Sequence, residues 1–353
     1  MNSLNFILNE LYSLHHGNIV YDLTRIKKLT GHLDNPHLKY HVIHVAGTNG
    51  KGSICSLLAS ILQESGLKVG LYTSPHIVDF NERIRINGKK ISNDDIEFNY
   101  KLIKELAHNI KASFFEITTA IAFNYFTIKN VDIAVIETGL GGKLDSTNIV
   151  NPILSIISTI SIDHQEILGN TQQTIAKEKA GIIKSNVPVI LQDTNPQVVN
   201  IIQKAAFKVS APLFFNDNFP EIEYDSIDTK FKMHLKINCP ETMEKCLNSV
   251  KNIDFIAKEN TVKRKIVSDL IGLHQIKNIQ NVIFASLLLN SYGITINYNS
   301  IIRGIENVVK NTGFHFRIES IYNNPNIIVD IAHNPQSIET LVKTLKLISP
   351  EQK

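Results

Sequence analysis

Residues 40–53 read YHVIHVAGTNGKGS. A short apolar run ends at a Gly-rich turn, and the stretch after it, SICSLLASILQESG, has the spacing of a helix closed by Gly66. The glycines let backbone N–H groups curl around an anion. The helix N-terminus adds the positive end of its dipole, and Lys51 supplies a mobile point charge. This is a Walker-type phosphate loop, with GKGS in place of the usual GK[ST]. Asn49, Gly50, Lys51, Gly52 and Ser53 are therefore the expected phosphate contacts. An incidental lysine in a plain strand–helix turn is the alternative, and the flanking strand and helix argue against it.

The run LKVGLY at 67–72 completes strand, turn, helix and strand within about 35 residues, which is the βαβ pattern. It recurs. VDIAVIE (131–137) is a buried strand followed by a second Gly-rich turn, and PILSIISTISI (152–162) ends at Asp163-His164. Thr171 can cap a helix over about 172–184, and VPVILQ (187–192) is the next strand. Strands that read as continuous apolar runs between helices predict a doubly wound, mostly parallel α/β sheet. Ligands of such sheets bind at the carboxyl ends of the strands, which places Lys51, Glu137, Asp163 and His164 where chemistry is expected.

Leu4, Ile7, Leu8, Leu11 and Leu14 give an amphipathic first helix. From 207 to 262 the pattern weakens to small strands or an insertion. Helices over about 276–291 and 300–311 follow, and Gly313 breaks the chain. Two strands, 316–322 and 326–332, precede a last helix with Ile338, Leu341, Val342 and Leu345 on one face.

Composition narrows the partners. Thirty-six Lys and Arg against 33 Asp and Glu give a net charge of +3, too weak to point to a nucleic-acid polyanion. Cys55, Cys239 and Cys246 form neither a disulfide framework nor a CxxC zinc pair. The N-terminus lacks the basic region of a signal peptide, and no run of about 18 apolar residues suggests a membrane span. The expectation is a cytoplasmic monomer that works on small molecules.

VAGTNGKGS resembles the phosphate loop of the Mur-type ATP-dependent amide ligases and, more narrowly, of the folylpolyglutamate synthase/dihydrofolate synthase family. Further matches run in the same order: TSPH (73–76) with NERI (81–84), FFEITT (114–119), ETGLGGKLDSTN (137–148), Asp163-His164, EKAGIIK (178–184), HQIKN (274–278) and DIAHNP (330–335). The resemblance implies a Mur-ligase-like ATP-binding domain over 1–312. The start of a C-terminal glutamate-ligase domain would follow over 313–353, and its single strand–helix unit reads as truncated.

The implied reaction adds L-glutamate to dihydropteroate, to folyl(poly)glutamate or to both. ATP first phosphorylates a carboxylate, and Mg2+, in two sites, neutralises charge. The resemblance places metal ligands at Ser74, Glu137 and His164, and a carbamylated lysine at Lys179. It places nucleotide contacts at Asn278 (base), Arg317 (phosphate) and Asp330 (ribose), with His333 beside them, so that Lys51, Lys179 and His333 are the catalytic candidates. Phe115, Glu116, Thr118, Leu144, Asp145 and Ser146 match the pterin side of the substrate pocket. Three positions depart from the family pattern: Phe314-His315-Phe316 precedes Arg317 in place of Pro-Gly, Ile331 replaces a glycine, and Lys143 replaces an arginine. Two other readings are a nucleotide-binding fragment without ligase activity and a cell-wall Mur ligase. The second is disfavoured because only about 40 residues precede the loop, too few for a UDP-sugar domain.

Overall fold

The computed structural model describes residues 3–13, 22–215, 219–228, 230–238, 264–323 and 326–348. Its centre is an eight-stranded sheet of β1 (His41–Ala46), β2 (Val69–Tyr72), β3 (Ile84–Ile86), β4 (Lys89–Lys90), β5 (Ile133–Glu137), β6 (Leu154–Ile157), β7 (Val189–Leu191) and β8 (Leu213–Phe214). The order is β4-β3-β2-β5-β1-β6-β7-β8. The six strands from β2 to β8 in that order are parallel, and β3 and β4 form an antiparallel edge. From β1 the chain winds to one side through β2 and β5, then crosses to β6 on the other. The strand order thus reverses beside β1, and the loops leaving β1 and β6 are tied together there, the Thr48 N–H donating to the Thr159 carbonyl at 2.8 Å.

The alternation of β1 explains its place. Ile43 and Val45 enter one core with the helices Lys51–Glu64, Leu273–Ser291 and Tyr298–Glu306. Val42 points to the opposite core, with Thr24–His32, Asn93–Asn109 and Phe114–Ile128. Ile133 and Val135 of β5 divide from Ala134 and Ile136 in the same way. Helices Gln172–Lys179 and Pro196–Lys208 cover β6 and β7 through a third cluster. With helices on both faces, every residue of β5, β6 and β7 is buried, which is why these strands read as unbroken apolar runs.

Several boundaries differ from the sequence reading. The run 152–162 is strand only as far as Ile157. Beyond it, the Ser158 and Thr159 hydroxyls donate to the Asn49 carbonyl at 2.7 and 3.2 Å, so the chain leaves the sheet to brace the phosphate loop. The helix expected to reach 184 ends at Lys179 and passes into one tighter turn, Ala180–Ile182. The helix expected over 300–311 is two, Tyr298–Glu306 and Val308–Thr312.

Beyond Gly313, β12 (Glu319–Asn323) starts later than expected, because Phe316 and Ile318 hold positive φ of 64° and 52°. It pairs antiparallel with β13 (Asn326–Val329), and Pro335–Ile348 is the last helix. In the weak region and just after it, β9 (Glu221–Ile227), β10 (Met233–Asn238) and β11 (Arg264–Ser268) form a separate antiparallel sheet. Its Met233, Leu235 and Ile266 join the same core as the helix Leu273–Ser291. Leu14, Cys239 and Cys246 lie outside the described residues. Among the described residues no helix is long and apolar enough to cross a membrane.

Candidate active site

The phosphate loop, the ends of β5 and β6, the start of Leu273–Ser291 and the segment 317–333 converge on one cavity of ≈ 490 Å3. The loop is fixed by close approaches. A Cβ on Gly47 would fall 1.7 Å from Ser158 Oγ. Gly50 has φ of +89°, and a Cβ there would lie 2.8 Å from Asn278 Oδ1. Only glycine therefore brings the loop against both walls. Lys51 opens the helix Lys51–Glu64 and folds back, its Nζ donating to the Thr48 carbonyl at 3.1 Å. Asn49 faces the other way. It donates to Gln336 Oε1 at 2.8 Å and accepts from Asn334 Nδ2 at 3.0 Å, tying the loop to the start of the last helix.

Glu137 ends β5 only 4% exposed and accepts the Ser74 N–H at 3.1 Å. Burial pushes its carboxyl above the ordinary carboxylate range, while Lys51, the Ser74 N–H and Arg317 favour the anion. His164 lines the same cavity from an exposed left-handed position, φ 48°. Among the described residues no group of three or more His, Cys, Asp or Glu could hold a metal ion unaided. The Glu137 carboxylate and Ser74 hydroxyl, which share the cavity with His164, are hard oxygen donors that fit a cation such as Mg2+, which takes few protein ligands and completes its shell with water and phosphate oxygens.

Lys179 is 3% exposed and donates to the Gly47 carbonyl at 2.7 Å. Burial, and secondarily the charge of Lys51, bring its ammonium down to about 7, against the pull of Asp163 and Asp145. A lysine with its pKa at about 7 has a substantial neutral-amine fraction at neutral pH.

Beside the phosphate loop, Asn278 is buried, and its Nδ2 donates to Gln275 Oε1 at 2.8 Å. The Arg317 guanidinium stacks 4.8 Å from the Phe314 ring centroid. Burial lowers its pKa, and the nearby Asp330 and Glu137 carboxylates oppose that. Asp330 accepts the N–H groups of Ile318 and Ala332 at 2.9 and 2.7 Å, which fixes the turn bearing His333. His333 lines the cavity with its Nδ1 2.9 Å from the Ile331 carbonyl.

The six pterin-side candidates do not line this cavity. The Phe115 ring packs against Gly139, where a Cβ would come within 2.4 Å of it, and Asp145 accepts the Leu140 N–H at 2.8 Å. Gly139 and Leu140 belong to the cavity wall, so these two residues stand one layer behind it. Glu116 closes a capping box with Ser113, and the Thr118 hydroxyl donates to the Phe114 carbonyl. Ser146 is buried in a short helical turn, and Leu144 is 39% exposed. Gln192, Gln336 and Ser337 also line the cavity, as do His274 and Gln275 from the HQIKN segment, in which the sequence names only Asn278 as a contact. The adjacency of His274 and Gln275 to Asn278, one helical turn apart, was the available signal.

Residues 45–286 match the Mur ligase middle domain. The chain is 36% identical over 334 residues to the dihydrofolate synthase/folylpolyglutamate synthase of Bacillus subtilis, covering 92% of this chain and 72% of that protein. The chain belongs to the folylpolyglutamate synthase family of Mur ligases. Solved structures of the family share its fold. The folylpolyglutamate synthase of Thermotoga maritima superimposes with a TM-score of 0.81 at 34% identity, over 98% of this chain and 74% of that one. A folylpolyglutamate synthase in complex with AMPPCP and folate gives 0.85 at 29% identity, over 100% and 82%. The fold, with its sheet, phosphate loop and cavity at the strand ends, is thus that of an ATP-dependent Mur-type ligase.

Proposed function

We propose that this chain joins L-glutamate to dihydropteroate, to folyl(poly)glutamate or to both, with release of ADP and phosphate. The observation that carries the reading is the meeting of Lys51, the Glu137–Ser74 pair and buried Lys179 around one cavity at the switch point. In the first step a substrate carboxylate oxygen bonds to the γ-phosphorus of ATP and the bond to the β-phosphate bridge breaks, leaving an acyl phosphate and ADP. In the second the glutamate amine bonds to the acyl carbon, loses a proton, and phosphate departs. Such transfers need positioning and charge neutralisation above all.

Lys51 and the N–H groups after Gly50 hold the phosphates, and Arg317 approaches them from the far wall. Asn278 faces the base, and Asp330 and His333 border the remainder of the nucleotide. Ser74, Glu137 and His164 would hold Mg2+, which supplies charge neutralisation at the transferring phosphoryl group. A carbamate on Lys179 would add an anion beside a second cation. The Gly139–Asp145 loop, backed by Phe115, forms the acceptor side. Residues 1–312 act as the ATP-binding unit, and 313–353 carry the opposing wall.

The test is phosphate release with dihydropteroate and tetrahydrofolate offered separately, each with ATP, with and without glutamate. Glutamate-dependent release with at least one acceptor is the expected result. Its absence with both would overturn the assignment.

A further inference from the structure

Behind the phosphate loop, three side-chain amides form a single directed relay. Gln275 Nε2 faces Ser53 Oγ at 3.3 Å and the His274 Nε2 lone pair at 3.1 Å. Gln275 Oε1 accepts from Asn278 Nδ2 at 2.8 Å, and Asn278 Oδ1 accepts from Gln192 Nε2 at 3.1 Å. Each amide therefore fixes the orientation of the next. The series ends at Gln192 Oε1, which is buried and has no hydrogen-bond partner among the described residues. Gln192 is 6% exposed, closes the carboxyl end of the β7 segment and lines the cavity.

A buried amide oxygen left without a donor carries a desolvation penalty that a ligand donor would relieve. The position in the site says which part of a ligand meets it. Asn278 Oδ1 lies against Gly50, and Gln192 follows β7, on the other side of β1 from Glu137 at the end of β5, so a nucleotide with its phosphates on the loop can extend its base toward Gln192. Adenine carries an exocyclic 6-amino donor on its edge, whereas guanine and hypoxanthine carry an acceptor oxygen there.

We infer that Gln192 reads the base, its Oε1 accepting the 6-amino group of adenine, while the Asn278–Gln275 relay holds that oxygen toward the base. This rests on the reading of the cavity as a nucleoside triphosphate site. To offer a donor instead, all three amides would have to turn together, and His274 would have to move its proton to Nε2. The relay thus opposes a 6-oxo purine. A fixed acceptor rejects an analogue lacking the donor because the acceptor is again left unpaired.

The experiment is equilibrium binding to the full chain, with Mg2+, of ATP, purine riboside triphosphate (no 6-substituent) and inosine triphosphate. The parent is expected to bind ATP about tenfold more tightly than purine riboside triphosphate, the worth of one hydrogen bond, and to bind inosine triphosphate no better than that analogue. Gln192→Met should bring the ratio of ATP to purine riboside triphosphate close to one. Gln192→Glu, which keeps an acceptor, should retain a preference for ATP. A parent ratio near one overturns the inference whether or not the variants fold, and so does an unchanged ratio in Gln192→Met. If none of the three nucleotides bound, the nucleotide reading would fall with it. If base selection held without glutamate-dependent phosphate release, only the proposed reaction would be lost.

Discussion

Lys179 is a cation held where a cation is costly. Its pKa is about 7 in the folded chain and about 10.4 in an unfolded one, so between those values the unfolded chain binds more protons. Stability therefore rises with pH across that window, and the penalty is complete below it. Lys179→Met should flatten this part of the stability profile in urea titrations at pH 7, 8.5 and 10, and an unchanged slope would contradict the depressed pKa. The same neutral amine can bond the carbon of CO2 and lose a proton to become a carbamate. Depleting dissolved CO2 should then lower turnover, and bicarbonate should restore it. Lys51 differs, since it lines the cavity and its Nζ bonds, among the described residues, only the Thr48 carbonyl. Lys51→Ala should lower phosphate release by about 10²-fold or more while leaving the thermal transition near that of the parent. Turnover close to the parent rate would remove the phosphate-loop assignment.

Between elements, the packing of the phosphate-loop helix sets the tolerance of the fold. A Cβ on Gly304 would lie 2.5 Å from Ile61 Cα, and the Ser60 hydroxyl donates to the Gly304 carbonyl at 2.6 Å. The obstacle is backbone, so Gly304→Ala must push the helix Tyr298–Glu306 away from Lys51–Glu64. That should cost about 1–3 kcal/mol in chemical unfolding. A loss below about 0.5 kcal/mol would mean that the two helices separate freely. This contact illustrates what the sequence conceals. The β1–loop–helix unit was legible because GTNGKGS has one physical use between an apolar strand and a helix, and β5 was legible as an apolar run. The end of β6 at Ile157 was not, because Ser158 and Thr159 leave the sheet to bond Asn49, more than a hundred residues earlier. Helix Phe114–Ile128 carries a readable signal in its Ser113/Glu116 capping box, a second use of the FFEITT segment beside the pocket residues it resembles. The relay through Ser53, Gln192, Gln275 and Asn278 joins three distant segments, and no local pattern announces such a meeting.

At the scale of the molecule, the segment 319–348 is attached differently from the main sheet. Its last helix buries Thr344, while Ile338 and Val342 stay 48% and 44% exposed. The attachment rests on polar groups, with Asn49 bonded to Asn334 and Gln336, and Ser161 bonded to Gln336. A unit with little buried apolar surface opens at low free energy, whereas β1 and β5, buried on both faces, open only when the whole sheet does. Amide exchange in β13 and the last helix should therefore be much faster than in β1 and β5. ATP with Mg2+ changes the balance, because Arg317, Asp330 and His333 share the cavity with Lys51 and Asn278. A nucleotide touching both walls binds the closed form and not the opened one. At a hundred times its dissociation constant that linkage supplies about 2.7 kcal/mol, enough to slow exchange in the attached unit by about 100-fold. Hydrogen exchange read by mass spectrometry with and without ATP–Mg2+ decides it. Equal protection of both regions without nucleotide, or no slowing on its addition, would show that the attached unit and the sheet open as one body.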